Sequence, residues 1–161
     1  AWKHLEELMA SDRRIILFME EFPRPTVLSL YQQCDCFVSL HRAEGFGRGI
    51  AEAMLLDLDV ITTGFSGNLD FTDQPGIEQV RYESVCVGRG EYLYAVHQQW
   101  AEPDINDAAD RMRSCASAGL SNLLSSKARD KYDVERFSLP YCGEIYRDRL
   151  NALIKPTLAK I

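Results

Sequence analysis

Cys36-Phe37-Val38-Ser39-Leu40-His41-Arg42-Ala43-Glu44-Gly45-Phe46-Gly47-Arg48-Gly49-Ile50-Ala51-Glu52-Ala53-Met54 decides the fold. It reads as a strand (Cys36–Leu40), a polar, glycine-rich turn (His41–Gly49) and a helix (Ile50–Asp57). Val60–Thr63 follows as a β-branched strand, and Gly64–Asn68 as a second small-residue turn. Glu44 and Glu52 bracket seven residues, three of them glycines. Glycine lets a backbone come close to a ligand. A helix start leaves N–H groups without intrahelical partners, which suits phosphate or sugar oxygens.

On the amino-terminal side, Trp2, Leu5, Leu8 and Met9 recur at helical spacing over Trp2–Ala10. Ile15–Phe18 is a short apolar run, as in a strand covered on both faces. Pro25 suits the first turn of a helix that reaches Gln33. The order β-α-β-α-β with short connections predicts an α/β fold, a Rossmann-like parallel sheet flanked by helices. Ligands of such sheets lie beyond the carboxyl ends of the strands, where both turns fall. Further on, Gln79–Val87 reads as one strand, and Gly88–Pro103 shows no period. Asp104–Gly119 and Leu120–Tyr132 read as helices, with Asp104 or Asn106 as N-cap. From Pro140 the apolar spacing predicts a long amphipathic helix packed on the domain.

At 161 residues the chain has room for one domain with a real core, and 46% hydrophobic residues exclude a disordered polypeptide. The net charge of −6 argues against a nucleic-acid partner, which selects a basic face. No apolar run reaches the roughly 20 residues of a membrane span. Five scattered cysteines fit a reduced, cytoplasmic setting, and Cys34 and Cys36 read as small buried hydrophobes. The start at Ala1, without methionine, suggests a piece of a larger protein.

Each candidate residue has a plainer alternative. Glu44 and Glu52 are either solvated carboxylates or acceptors for vicinal sugar hydroxyls. Their placement around a glycine turn favours the second. Gly45 and Gly47 flank Phe46 beside Glu44. Their spacing is not the dinucleotide fingerprint. Arg48 meets a phosphate or pairs with an acid. His41 and Arg42 are further possible site residues, His41 as an acid–base group or a structural histidine. Ser66, Gly67 and Asn68 offer N–H groups to the same ligand or form a plain turn. Asp70 and Asp73 lack a third carboxylate in register, so no metal site is expected.

These residues carry a resemblance. Ser39 to Gly47, Ala51-Glu52-Ala53-Met54 and Val60-Ile61-Thr62 resemble the donor-binding signature of family 4 glycosyltransferases of GT-B architecture. Leu30-Tyr31 with Cys34-Asp35 is similar to the helix before that signature. Phe137-Ser138 and the aromatic-rich segment after it resemble the family's carboxyl-terminal return helix, here 133–155. His41-Arg42 and Ser66 to Phe71 look like a bacterial polysaccharide subgroup. The resemblance implies that residues 1–161 are the nucleotide-sugar-binding domain of a larger two-domain, retaining, metal-independent enzyme. Glu44 would bond the transferred hexose and serve catalysis. Gly45, Phe46, Gly47 and Arg48 would line the sugar and diphosphate, Glu52 would take the ribose, and Ser66 to Asn68 the sugar or acceptor side. No cofactor is implied, since the nucleotide-diphospho-sugar is the donor substrate. A glycan or lipid-linked acceptor would bind through a further domain, at the inner face of the membrane. No Gly-Arg-Leu segment and following lysine precede Trp2, so the 161 residues alone are expected to bind donor weakly and transfer nothing. Two alternatives stay open: a non-catalytic binding or scaffold domain of the same fold, and a GT-B epimerase. All five lysines lie outside the proposed site, which argues against a pyridoxal-phosphate phosphorylase.

Overall fold

The structure is a computed structural model that describes residues 2–95, 97–122 and 132–158. The chain divides into two compact units, with the boundary between Leu30 and Tyr31. The first contains α1 (Trp2–Ser11) and most of α2 (Arg24–Tyr31). In α1 the Trp2 indole donates to Glu6 one turn on, at 2.8 Å. The connection is held by Arg14, which donates to both Asp12 carboxylate oxygens. The expected strand at Ile15–Phe18 is not formed, and Ile16 and Phe18 are exposed. An apolar run becomes a strand only where a neighbour takes its N–H and C=O groups. Neither sheet includes these residues.

The second unit is built on a parallel sheet in the order β1 (Cys36–Ser39), β2 (Asp59–Thr63), β3 (Ile77–Val80). Phe37 pairs with Val60, and Val60 with Ile77. Successive strand residues face opposite sides, so adjacent positions serve two cores. Val60 packs with Ile50, Ala53 and Met54 of α3 (Arg48–Leu55), and with Phe71 and Tyr132. Ile61, on the other face, packs with Val80 and with Ala108 of α5 (Ile105–Asn122). Helices therefore flank the sheet, as the α/β pattern predicts.

Helix α3 starts two residues earlier than its apolar spacing suggests and stops at Leu55. The stop is a Schellman turn. The Leu58 N–H reaches the Ala53 carbonyl and the Asp57 N–H that of Met54, both at 3.0 Å, with Asp57 left-handed at φ 57°. Helix α4 (Leu69–Thr72) is a single turn that follows the turn after β2.

The single strand expected over Gln79–Val87 is two strands in different sheets. β3 ends at Val80, and β4 (Tyr82–Cys86) pairs antiparallel with β5 (Gln99–Pro103). The break is Arg81, whose N–H donates to the Asp107 carboxylate at 2.8 Å and whose carbonyl accepts from Asp104 N–H. An unbroken alternating pattern hides such a change of partner. Asp104 does cap α5, its carboxylate accepting from the N–H groups of Asn106 and Asp107. The helix expected over Leu120–Tyr132 is covered by α5 up to Asn122, and 123–131 lie outside the described residues.

Helix α6 (Leu139–Leu158) matches the expected long helix, with the Ser138 hydroxyl accepting from Tyr141 N–H. It is not packed along its apolar face as expected: Leu139, Tyr146 and Leu150 are 89%, 72% and 55% exposed. Amphipathic spacing marks a face but not its cover. No helix among the described residues is long and apolar enough to cross a membrane. None of the five cysteines is in a disulfide, and Cys34 is exposed rather than buried. It follows α2 at a turn on the surface, where no core reaches it.

Candidate functional site

Two turns leave the carboxyl edge of the sheet, one from β1 and one from β2. Because the strands are parallel neighbours, the turns lie side by side. Two of the bonds between them meet on one atom. The Glu44 carbonyl accepts both the Ser66 hydroxyl, at 2.9 Å, and the Gly67 N–H, at 3.0 Å. Gly67 is required there, since a Cβ at that position would stand 1.9 Å from the Gly45 carbonyl oxygen. Ser66 is left-handed at φ 77°, a strained conformation that the bond to Glu44 helps to hold.

His41 braces the same pair of turns. Its Nε2 lies 3.1 Å from both the Phe65 carbonyl and Asn68 Oδ1, and its Nδ1 lies 3.2 Å from Ser39 Oγ. Two acceptors facing Nε2 put the proton there, leaving Nδ1 to accept from the Ser39 hydroxyl. Asn68 is fully buried and donates to the Thr63 carbonyl at 3.1 Å. His41 and Asn68 therefore fix the turns from inside.

Helix α3 opens at the end of the first turn. Gly47 precedes it at φ 93°, buried against Ile50 and Asn68, and no side chain caps the helix. The Cβ position of Gly47 is also 3.4 Å from Glu44 Cγ, which sets the Glu44 side chain beside the helix start. Glu44 is partly exposed, and the Cα of Gly45 faces open space. Glu52 is 8% exposed, one turn inside the helix, with Arg48 Nε 3.4 Å from its Oε1. The rest of Arg48 reaches solvent. Phe46 is half-exposed and leans on Phe71 and Phe137, at centroid distances of 4.9 and 6.1 Å.

Arg42 is engaged by β5. Its guanidinium pairs with Glu102 at 2.6 Å and lies 4.8 Å from the centre of the Trp100 ring. The stretch Gly88–Pro103, which shows no period in the sequence, ends in the strand β5. The rings that carry Phe46 were missed as well. The alternation of buried Ala101, exposed Glu102 and buried Pro103 is visible only in the folded strand.

A cavity of about 550 Å³ lies at the opposite, amino-terminal edge, between α5 and the starts of β2 and β3. Asp59, Glu78, Asp107, Arg111 and Cys115 line it, and none of the residues that the sequence singles out as a binding site does. Arg111 pairs there with Asp107 and Glu78. Asp107 is held below the usual carboxylate range, first by the Arg81 backbone N–H and then by the Arg111 guanidinium. No group of three or more metal-ligating side chains is found among the described residues. Compared with protein-family models, curated proteins and solved structures, the chain has no match.

Proposed function

We propose that this chain is the donor-binding portion of a retaining, metal-independent glycosyltransferase of family 4 with GT-B architecture, serving bacterial surface-polysaccharide synthesis at the inner face of the membrane. The observation that carries the reading is the junction of the two turns on the Glu44 carbonyl. It sets Glu44, the open Gly45 backbone and the uncapped start of α3 beside one another. In this reading the diphosphate meets the first N–H groups of α3, where the helix dipole favours negative charge. Arg48, which turns from Glu52 to the leaving group in this reading, adds a cation there, a kind of stabilisation that is generally a large term. Glu52 takes the ribose hydroxyls and Glu44 those of the hexose. His41 and Asn68 hold the turns rather than the ligand. The acceptor glycan or lipid-linked sugar is met by a further domain.

The test is a binding screen of UDP, GDP and ADP and their hexose conjugates, repeated on two variants. A lost hydrogen bond to a charged group costs about 1.5–3 kcal/mol, roughly 10- to 150-fold in affinity. Glu52→Ala is expected to weaken free nucleotide and conjugate alike by that factor. Glu44→Ala is expected to spare the free nucleotide and weaken the conjugate. Unchanged affinity in Glu52→Ala removes the ribose role and with it this orientation of the donor.

A further inference from the structure

The β4–β5 ribbon stands apart from the parallel sheet, yet three consecutive β5 residues touch Arg42. Trp100 stacks on its guanidinium, Glu102 pairs with it, and the Ala101 N–H donates to its carbonyl at 2.8 Å. The ladder explains the last bond. Val87 N–H donates to the Gln98 carbonyl, so 87 and 98 form a bonded pair. Pairs alternate along an antiparallel ribbon, which makes Ser84 and Ala101 a non-bonded pair. The Ala101 N–H therefore points off the outer edge of β5, where Arg42 receives it. Residues 100 and 102 share one face of the strand, which brings the ring and the carboxylate to the same guanidinium. At the root of the ribbon, Tyr82 packs on Phe65 at 5.1 Å, touching the second turn too.

We infer that the ribbon is a clamp on the carboxyl-edge turns, and that Trp100 and Glu102 are positioning residues acting through Arg42 on Glu44, two residues on. Ser66 and Gly67 hold the Glu44 carbonyl from one side, and the ribbon holds the chain just before it from another. Arg42 is thereby committed to the clamp, while Arg48 opens α3 and pairs with Glu52. Its consequence for the sugar end of a donor rests on the function proposed above; the clamp itself does not.

Amide hydrogen exchange on the full chain tests the clamp without any ligand, since exchange reports local opening. Glu102→Gln removes the charge at a half-exposed position, where folding is not at stake, and Trp100→Leu removes the ring. In each, exchange of the Ala101 and Gly67 amides, which donate to the Arg42 and Glu44 carbonyls, is expected to quicken about two- to fivefold, as for loss of a half-exposed ion pair, with β2 unchanged, and Glu102→Asp is expected to restore most of the protection. Unchanged exchange of the Ala101 and Gly67 amides in both variants overturns the clamp. A second arm compares UDP, GDP and ADP with UDP-glucose, GDP-mannose and ADP-glucose. Glu102→Gln is expected to lower the preference for conjugate over free nucleotide about fivefold, with free-nucleotide affinity kept. A preference unchanged despite faster exchange overturns the action on Glu44. If the unmodified chain binds none of these probes, the donor-binding reading falls, and the exchange result still decides the clamp.

Discussion

At Gly67 a methyl group has nowhere to go, because the nearest atoms are backbone: the carbonyl oxygen and carbon of Gly45, at 1.9 and 2.7 Å. Backbone cannot rotate aside as a flexible side chain does. Gly67→Ala is therefore expected to cost about 2–3 kcal/mol, at the upper end for an overpacked site. It should also release the Glu44 carbonyl. Urea unfolding measures the first effect, and exchange at the Gly67 amide the second. Gly45 gives the contrast: its Cβ position is open, so Gly45→Ala is expected to leave stability within about 0.5 kcal/mol. Both glycines stood out in the sequence. Which of them is compulsory depends on how near two loops pass, and spacing along one chain does not carry that distance.

The ends of α3 and α5 make predictions at the level of elements. Asp57 closes the α3 Schellman turn at φ 57°, where a residue without Cβ fits best. Asp57→Gly is expected to raise unfolding stability by about 0.5–1 kcal/mol, read as a higher denaturant midpoint at unchanged slope. At the start of α5, Asp107 ties Arg81 to the helix, and its folded-state pKa lies below the unfolded value. A depressed carboxylate contributes stability above its unfolded pKa, near 4, and loses it as pH falls through the lower folded value. The stability gap between the native chain and Asp107→Asn should be flat from pH 7 to about 5 and close below about 4. Urea titrations across that range check the sign. The sequence made the helices legible because periodicity and caps are local: Asp104 was a visible cap, and α6 a visible helix. It misjudged Ile15–Phe18, Arg81 and β5, where the outcome hangs on which distant strand supplies a partner. The same limit applies to the apolar face of α6, whose exposure no spacing foretells.

For the second unit as a whole, β1, α3 and β2 were read nearly to the residue, and so was the edge at which the two turns emerge. The joining of the turns was not, since it rests on a carbonyl and two donors 22 and 23 positions later. Nor was the brace on His41, whose ring reaches residues 24 and 27 positions on. Under the proposed function, a nucleoside diphosphate at 100 times its dissociation constant stabilises the fold by about 2.7 kcal/mol. For a chain of this size that is a rise in melting temperature of roughly 5–10 °C. A flat thermal scan across the whole nucleotide panel is the contrary result.

One oxygen atom, on Glu44, serves as a common rivet for two loops. Whatever tugs on either loop must drag its neighbour along or first shear that fastening. Recognition at this rim should accordingly proceed as a single concerted motion, and a crosslink that immobilises one loop should arrest the other.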